Sequence, residues 1–266
     1  VTAPAAPDRP RRRAVWIALA LATALVVVAP VALTAFGRAV RRTATSMTPH
    51  PGPIREVRLD AGNAEITVGP GSDGGARVYK DLHWGLSEPE ITESVVDDVL
   101  FVTFRCPGPD RLGIGCGADI DVQVPAGARV SAVSGSGSID VRGVTGDLDL
   151  RTGAGEIAVA GARGRLRLLA RSGTINGRAL ASAKTQADVS SGTLDLRYAE
   201  PPGSVDASAG SGTVKIIVPP GSRYRVAGWT GAGNAHLNPA VYDDRSSRRI
   251  SVRSGSGETW VDYRDD

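Results

Sequence analysis

Ser172-Gly173-Thr174-Ile175, Ser191-Gly192-Thr193-Leu194 and Ser211-Gly212-Thr213-Val214 are three versions of one tetrad, and their spacing decides how the chain folds. A small residue, a glycine, any residue and then an apolar one also occur at Ser136-Gly137-Ser138-Ile139 and Ala154-Gly155-Glu156-Ile157. Two later copies, Ala232-Gly233-Asn234-Ala235 and Ser256-Gly257-Glu258-Thr259, depart at the last position. The glycines step by 18, 18, 19, 20, 21 and 24 residues, and a near-constant period of this length marks a stacked-repeat architecture.

Around each glycine the pattern is strand, corner, strand. Leu148 and Leu150, or Leu166 and Leu168, precede a corner; Ile157 and Val159, or Val214, Ile216 and Val218, follow one. These apolar residues alternate with Asp, Arg, Ser and Thr, so each strand has one buried face. The glycine is explained by a bend with positive φ or by close stacking of neighbouring backbones. Two short strands cannot bury their apolar face alone, whereas coil piled on coil can. The reading is an all-β, β-solenoid-like repeat domain over residues 130–266. A β-sandwich of hairpins is the alternative. The lengthening period predicts loops growing on one flank, at Tyr198 to Pro202 and Tyr242 to Arg249.

Residues 54–129 read as a less regular N-terminal β region and cap. Strands are expected at Arg55–Asp60, Asn63–Val68, Ala76–Trp84, Val99–Cys106 and Asp119–Val124. Within this region stand the only two cysteines, Cys106 and Cys116, in a Pro- and Gly-rich turn between strands. An even count in such a loop suggests a disulfide, which needs an oxidising compartment.

Upstream, Ala14 to Phe36 (AVWIALALATALVVVAPVALTAF) is 23 residues without a charge. As a helix it would rise roughly 35 Å, enough to span a bilayer core. A cleaved signal peptide is the rival reading, but its apolar region runs to only about 15 residues. The expectation is therefore a short basic cytoplasmic tail at 1–13, a transmembrane helix at 14–36 and a Pro-rich extracytoplasmic linker at 37–53. Four arginines before the span against three after it favour the N-terminus inside. The linker reading makes Thr43–Pro53 an extended spacer and leaves His50 solvated.

Charge must be split along the chain. The net charge is +3, but residues 54–266 carry 24 basic and 27 acidic side chains, a net −3. The β domain has no net positive charge to draw in nucleic acid. Arginine in large excess over lysine, with abundant Ala, Gly and Val, points to a high-GC bacterial genome.

With these features the chain resembles a bacterial family of domains of unknown function labelled putative adhesins, in a membrane-anchored actinobacterial form. The resemblance lies in the recurring tetrads, the cysteine pair ahead of Val122-Gln123-Val124-Pro125-Ala126-Gly127, and the Val218-Pro219-Pro220-Gly221 turn. It covers residues 54–266 and implies a β-solenoid at the cell envelope, some relatives being linked to envelope stress.

No catalytic constellation emerges. His50, His83 and His236 are scattered through the sequence. Gly69 to Gly74 matches a dinucleotide fingerprint by letter, but a strand rather than a helix follows it. A calcium-binding repeat would need an acid in successive turns, and the equivalent positions are Asp140, Ala158, Asn176, Asp195 and Lys215. Asp140, Asp149, Asp195 and Asp206 are outward carboxylates in separate units. No cofactor, metal or nucleic acid is expected. Trp229, Tyr198 and Tyr242 are candidate binding aromatics, with Trp84 and Trp260 plugging the ends. The expected role is adhesion, scaffolding or sensing at the envelope without catalysis, toward a cell-wall polysaccharide or an envelope protein. The alternatives are a cell-wall carbohydrate-active enzyme, or an accessory protein of an envelope-stress signalling system.

Overall fold

The computed structural model describes residues 16–17, 19–24, 28, 42–71, 74–85, 87–107 and 116–264. Among these, 16 strands form one sheet. In chain order they are β1 (Arg42–His50), β2 (Glu56–Asp60), β3 (Glu65–Pro70), β4 (Ala76–Trp84), β5 (Glu90–Val96), β6 (Val99–Arg105), β7 (Gly117–Val124) and β8 (Arg129–Ser134). There follow β9 (Ile139–Arg142), β10 (Leu148–Ala160), β11 (Leu166–Leu180), β12 (Lys184–Tyr198), β13 (Ser204–Val218), β14 (Arg225–Ala232), β15 (Ala235–Leu237) and β16 (Arg249–Tyr263).

The long strands are folded at their corner glycine, so each contributes to two faces of a stack. On one face β8, then the first halves of β10, β11, β12, β13 and β16, then β14, run parallel. On the other, β9, the second halves of the same strands and β15 do likewise. Parallel pairing of successive units identifies a solenoid-like stack and excludes the hairpin sandwich, whose neighbours would be antiparallel. Between the faces lies one core of fully buried Leu150, Ile157, Leu168, Ile175, Leu194, Val214 and Ile250. These are the alternating apolar residues of the sequence.

The glycines form a column. Gly155, Gly173, Gly192 and Gly212 are consecutive register partners. Gly212 pairs with Gly257, and a side chain on Gly233 would strike the Gly257 backbone. At Gly137 the neighbour is the Ala64 carbonyl of the coil beneath. Both explanations of the glycines hold together at Gly192, where φ is +136° and a Cβ would overlap the Gly173 carbonyl oxygen. Gly155 shows the second alone: it lies against the Gly137 carbonyl, and its φ is not among the positive ones.

The stack differs from a sequential pile at both ends. The final strand β16 inserts between β13 and the β14–β15 pair. At the other end, β2 and β3 lie between β6–β7 and β8–β9. Each swap leaves the coil with the longer interruption, β14–β15 or β6–β7, outside its partner. The outermost N-terminal coil is extended by antiparallel strands, β5 on β6 and β4 on β7, with β1 closing the edge.

The segment expected to be a spacer is therefore largely structured. Arg42 to His50 pairs with β4 over nine residues. Its polar, Pro-containing sequence suits an edge strand, where Pro49 need not donate to a second neighbour. Most of 14–36 lies outside the described residues, as do 1–13. Among described residues no helix is long and apolar enough to cross a membrane.

Gly192→Ala should cost at least about 3 kcal/mol in urea unfolding, because the change meets both a positive φ and a neighbouring backbone. Gly69→Ala, with nothing within 4 Å of the added carbon, should shift stability by less than about 0.5 kcal/mol.

Candidate binding surface

Along the outer faces, charged residues recur two apart on a strand, which places both on the same side. Arg142 pairs with Asp140 at 2.5 Å, Arg151 with Asp149 at 2.9 Å and Arg197 with Asp195 at 3.0 Å. Asp206 is held by Arg253 of the neighbouring coil at 2.9 Å. All four carboxylates considered from the sequence thus face an arginine. Such exposed pairs contribute at most about 1 kcal/mol each. The positions compared with a calcium-binding repeat do form a row, since Asp140, Ala158, Asn176, Asp195 and Lys215 are register partners. It is chemically mixed, and among the described residues no three His, Cys, Asp or Glu side chains are placed to hold a metal.

Two positions before each corner glycine, Gly135, Gly153, Ser190, Gly210, Gly231 and Gly255 make a second set of small residues, interrupted by Arg171. The missing side chains leave an open groove of about 760 Å³ running across coils. Val133 and Leu169 give it apolar surface, Arg151 and Arg171 bring positive charge, and Asp188 brings a carboxylate bonded to the Ser208 hydroxyl. A groove along the stack direction suits an extended partner that touches several equivalent strands.

A different chemistry occupies the N-terminal end. The Glu93 carboxylate of β5 lies between the Lys80 ammonium of β4 and the His50 imidazole of β1, the latter at 2.6 Å. Lys80 also donates to the Thr48 hydroxyl at 2.9 Å. Their side chains are only 9–14% exposed, so the cluster ties three separate strands together. His50 is thus buried against an acid instead of solvated. On the outside of this end Glu65, Asp119 and Asp81 are register neighbours, with Asp121 beside them. Burial pushes the Asp121 carboxyl above its ordinary range.

The aromatic candidates separate. Tyr198 is 1% exposed and is the register partner of Leu180, within the core, so its ring is not on the surface. Burial pushes its phenol well above the ordinary range. Tyr242 is 46% exposed beside the last coil. Trp229 lies on β14, and its side chain is outside the described residues. Trp84 is buried, but Trp260 is 38% exposed, with the His236 ring tilted against it at 4.6 Å between centroids, so it does not plug an end. His83 packs its ring over Gly117. Cys106 and Cys116 form a disulfide with Cα atoms 6.1 Å apart. Their loop stands where other coils have a glycine corner, between β6 and β7.

A parallel two-faced stack with glycine corners and capped ends defines a class of all-β stacked-repeat domain. The family profile described as Toastrack DUF4097 matches residues 117–264, and the chain belongs to that family. Solved structures to which the chain is similar include a putative adhesin from Bacteroides fragilis, 14% identical, covering 83% of this chain and 97% of that one with a TM-score of 0.46. Another is a putative cell adhesion protein from Clostridium sporogenes, at 13% identity, 84% and 100% coverage and a TM-score of 0.37. A third, from Parabacteroides distasonis, is titled a putative lipid binding protein, at 10% identity, 84% and 97% coverage and a TM-score of 0.38. No curated protein matches the chain.

The Lys80–Glu93–His50 cluster was not legible in the sequence, because β5 has no apolar alternation to announce it. Glu93→Ala would leave the largely buried Lys80 ammonium and His50 imidazole without their acceptor and should cost about 3 kcal/mol in urea unfolding. Glu90→Ala, at an exposed position of the same strand, should cost less than about 0.5 kcal/mol.

Proposed function

We propose that this chain is a membrane-anchored protein of the bacterial envelope. Residues 14–36 cross the membrane with the N-terminus in the cytoplasm. The β stack stands outside as a rigid surface for adhesion, scaffolding or sensing, without catalysis, toward a cell-wall polysaccharide or an envelope protein. The observation that carries this reading is the groove formed by the second small-residue column. It presents equivalent backbone and side-chain positions at intervals of about 4.8 Å over several coils, a geometry suited to an extended polymer or strand. The Cys106–Cys116 disulfide supports an oxidising location. The 23-residue apolar stretch supports the anchor. Outward carboxylates held by arginines support binding over hydrolysis, which needs one carboxyl free to give a proton and another free to attack or activate water.

Thiol alkylation in intact cells expressing the full chain tests compartment and topology together. A membrane-impermeant maleimide should label Cys106 and Cys116 only after an impermeant reductant, and the chain should stay in the membrane fraction after alkaline extraction. Full labelling without reductant by a permeant reagent alone would place the domain on the reducing side and overturn the proposal.

A further inference from the structure

The far end of the stack carries an arginine cluster unlike the rest of the surface. Residues 223–249 hold Arg223, Arg225, Arg245, Arg248 and Arg249 against Asp243 and Asp244, a local +3 in a domain whose remainder is −6. Arg225 and Arg249 are register partners on β14 and β16. Lys184 continues the same row two strands away, through Ser204. Elsewhere on the stack Arg142, Arg151 and Arg197 are each neutralised by an aspartate two residues before them. Here, among the described residues, none of the five forms an ion pair with a carboxylate.

Backbone groups organise the cluster instead. Arg225 donates through Nε to the Asp244 carbonyl and through Nη2 to the Ser246 carbonyl, both at 3.3 Å. The Ser246 hydroxyl donates to the Arg223 carbonyl at 2.8 Å and accepts the Arg248 amide at 3.1 Å. The Arg225 amide donates to the Arg248 carbonyl at 2.9 Å. Asp243 spends one carboxylate oxygen on the Arg245 amide at 3.0 Å. The loop therefore holds its arginines together on ordered backbone and leaves four exposed guanidiniums, those of Arg223, Arg245, Arg248 and Arg249, without a side-chain hydrogen bond.

We infer that this tip is a binding site for a phosphate-bearing polyanionic polymer. Guanidinium groups match phosphate oxygens in paired, planar hydrogen bonds, and several on one ordered loop suit a chain of phosphates better than a single small anion. The site lies at β14, ten strand steps along the sheet from β1. At roughly 4.8 Å a step that is about 48 Å from the strand that follows residues 14–36. The choice of polymer over the chain's own membrane rests on the anchor proposed above, which puts β1 nearest the bilayer and the tip far beyond the screening length of about 10 Å.

The test uses the full chain in an uncharged detergent and a fluorescent poly(glycerol phosphate) oligomer, read by anisotropy at low and high salt. Arg223→Gln, Arg245→Gln and Arg248→Gln are combined in one variant. A control variant combines Arg142→Gln, Arg165→Gln and Arg197→Gln, removing the same charge from aspartate-paired positions outside the groove. Circular dichroism checks that both fold. The tip variant should lose at least about 10-fold in affinity and much of the salt dependence, while the control should change by less than about 2-fold. Equal losses, or no saturable binding by the unaltered chain, would overturn the site. Vesicles containing phosphatidylglycerol that compete as strongly as the polymer would reassign the tip to a membrane. Self-association lost in the tip variant would reassign it to the acidic face of a second copy. The binding assay needs no membrane, so a chain found unanchored would end the earlier proposal and leave this measurement standing.

Discussion

At each corner of the stack the carbonyl oxygen of one coil occupies the space where the next coil's side chain would be. Gly173 fills that role above Gly155, Gly192 above Gly173 and Gly212 above Gly192. Only hydrogen fits there, and at Gly192 only a residue tolerant of φ near +136° can make the bend as well. The rest of the architecture depends on this contact. It lets a strand of 15 residues fold sharply enough to serve two faces, and it keeps successive coils close enough for both faces to remain hydrogen-bonded. The apolar residues on either side of the corner then meet in one interior. Glycine loses more conformational freedom on folding than any other residue, and here that loss is set against a shared core that no single coil could build.

The ends answer a different problem. A stack of parallel strands leaves open edges that invite further pairing. At the C-terminal end the last strand turns back inside, so that the full-length β16 is paired on both sides and the shorter β14 and β15 are left outermost. At the N-terminal end the same interchange brings the disulfide-bonded coil outward. There β1, β4 and β5 add antiparallel strands that the Lys80–Glu93–His50 cluster fastens to one another. The domain thus has chemically different poles, acidic and covalently braced at one and arginine-rich at the other. That polarity gives a rigid body two addresses along one axis.

Much of the stack was legible in the sequence, because the core-forming alternation and the corner glycine are local signals. Leu148, Leu150, Ile157 and Val159 sit where the alternation puts them, and Asp140, Ala158, Asn176, Asp195 and Lys215 fall in a single row. Order along the stack was not legible. Gly233 and Gly257 carry the same motif, and nothing in either tetrad says that the later one sits closer to Gly212. Strands without apolar alternation in their sequence were also hidden: β1 is polar, and β5 exposes Val95 and Val96 while burying Glu93. Tyr198 read as a surface aromatic because it precedes a loop, whereas its place opposite Leu180 puts it in the core. The arginine tip is dispersed over two segments, 223–225 and 245–249, and whole-domain charge masks it.

The groove, the neutralised carboxylates and the basic tip all take their positions from coil register, so the register is the claim to test. Cysteines placed at the position before the corner glycine report it directly, since neighbouring coils bring two Cα atoms within disulfide reach and coils once removed do not. Ser211→Cys with Ser256→Cys should cross-link readily under mild oxidation in the folded chain, and Ser211→Cys with Ala232→Cys should not. Cross-linking of the second pair in place of the first would mean that the coils pile up in chain order, and the account of the stack given above would fail.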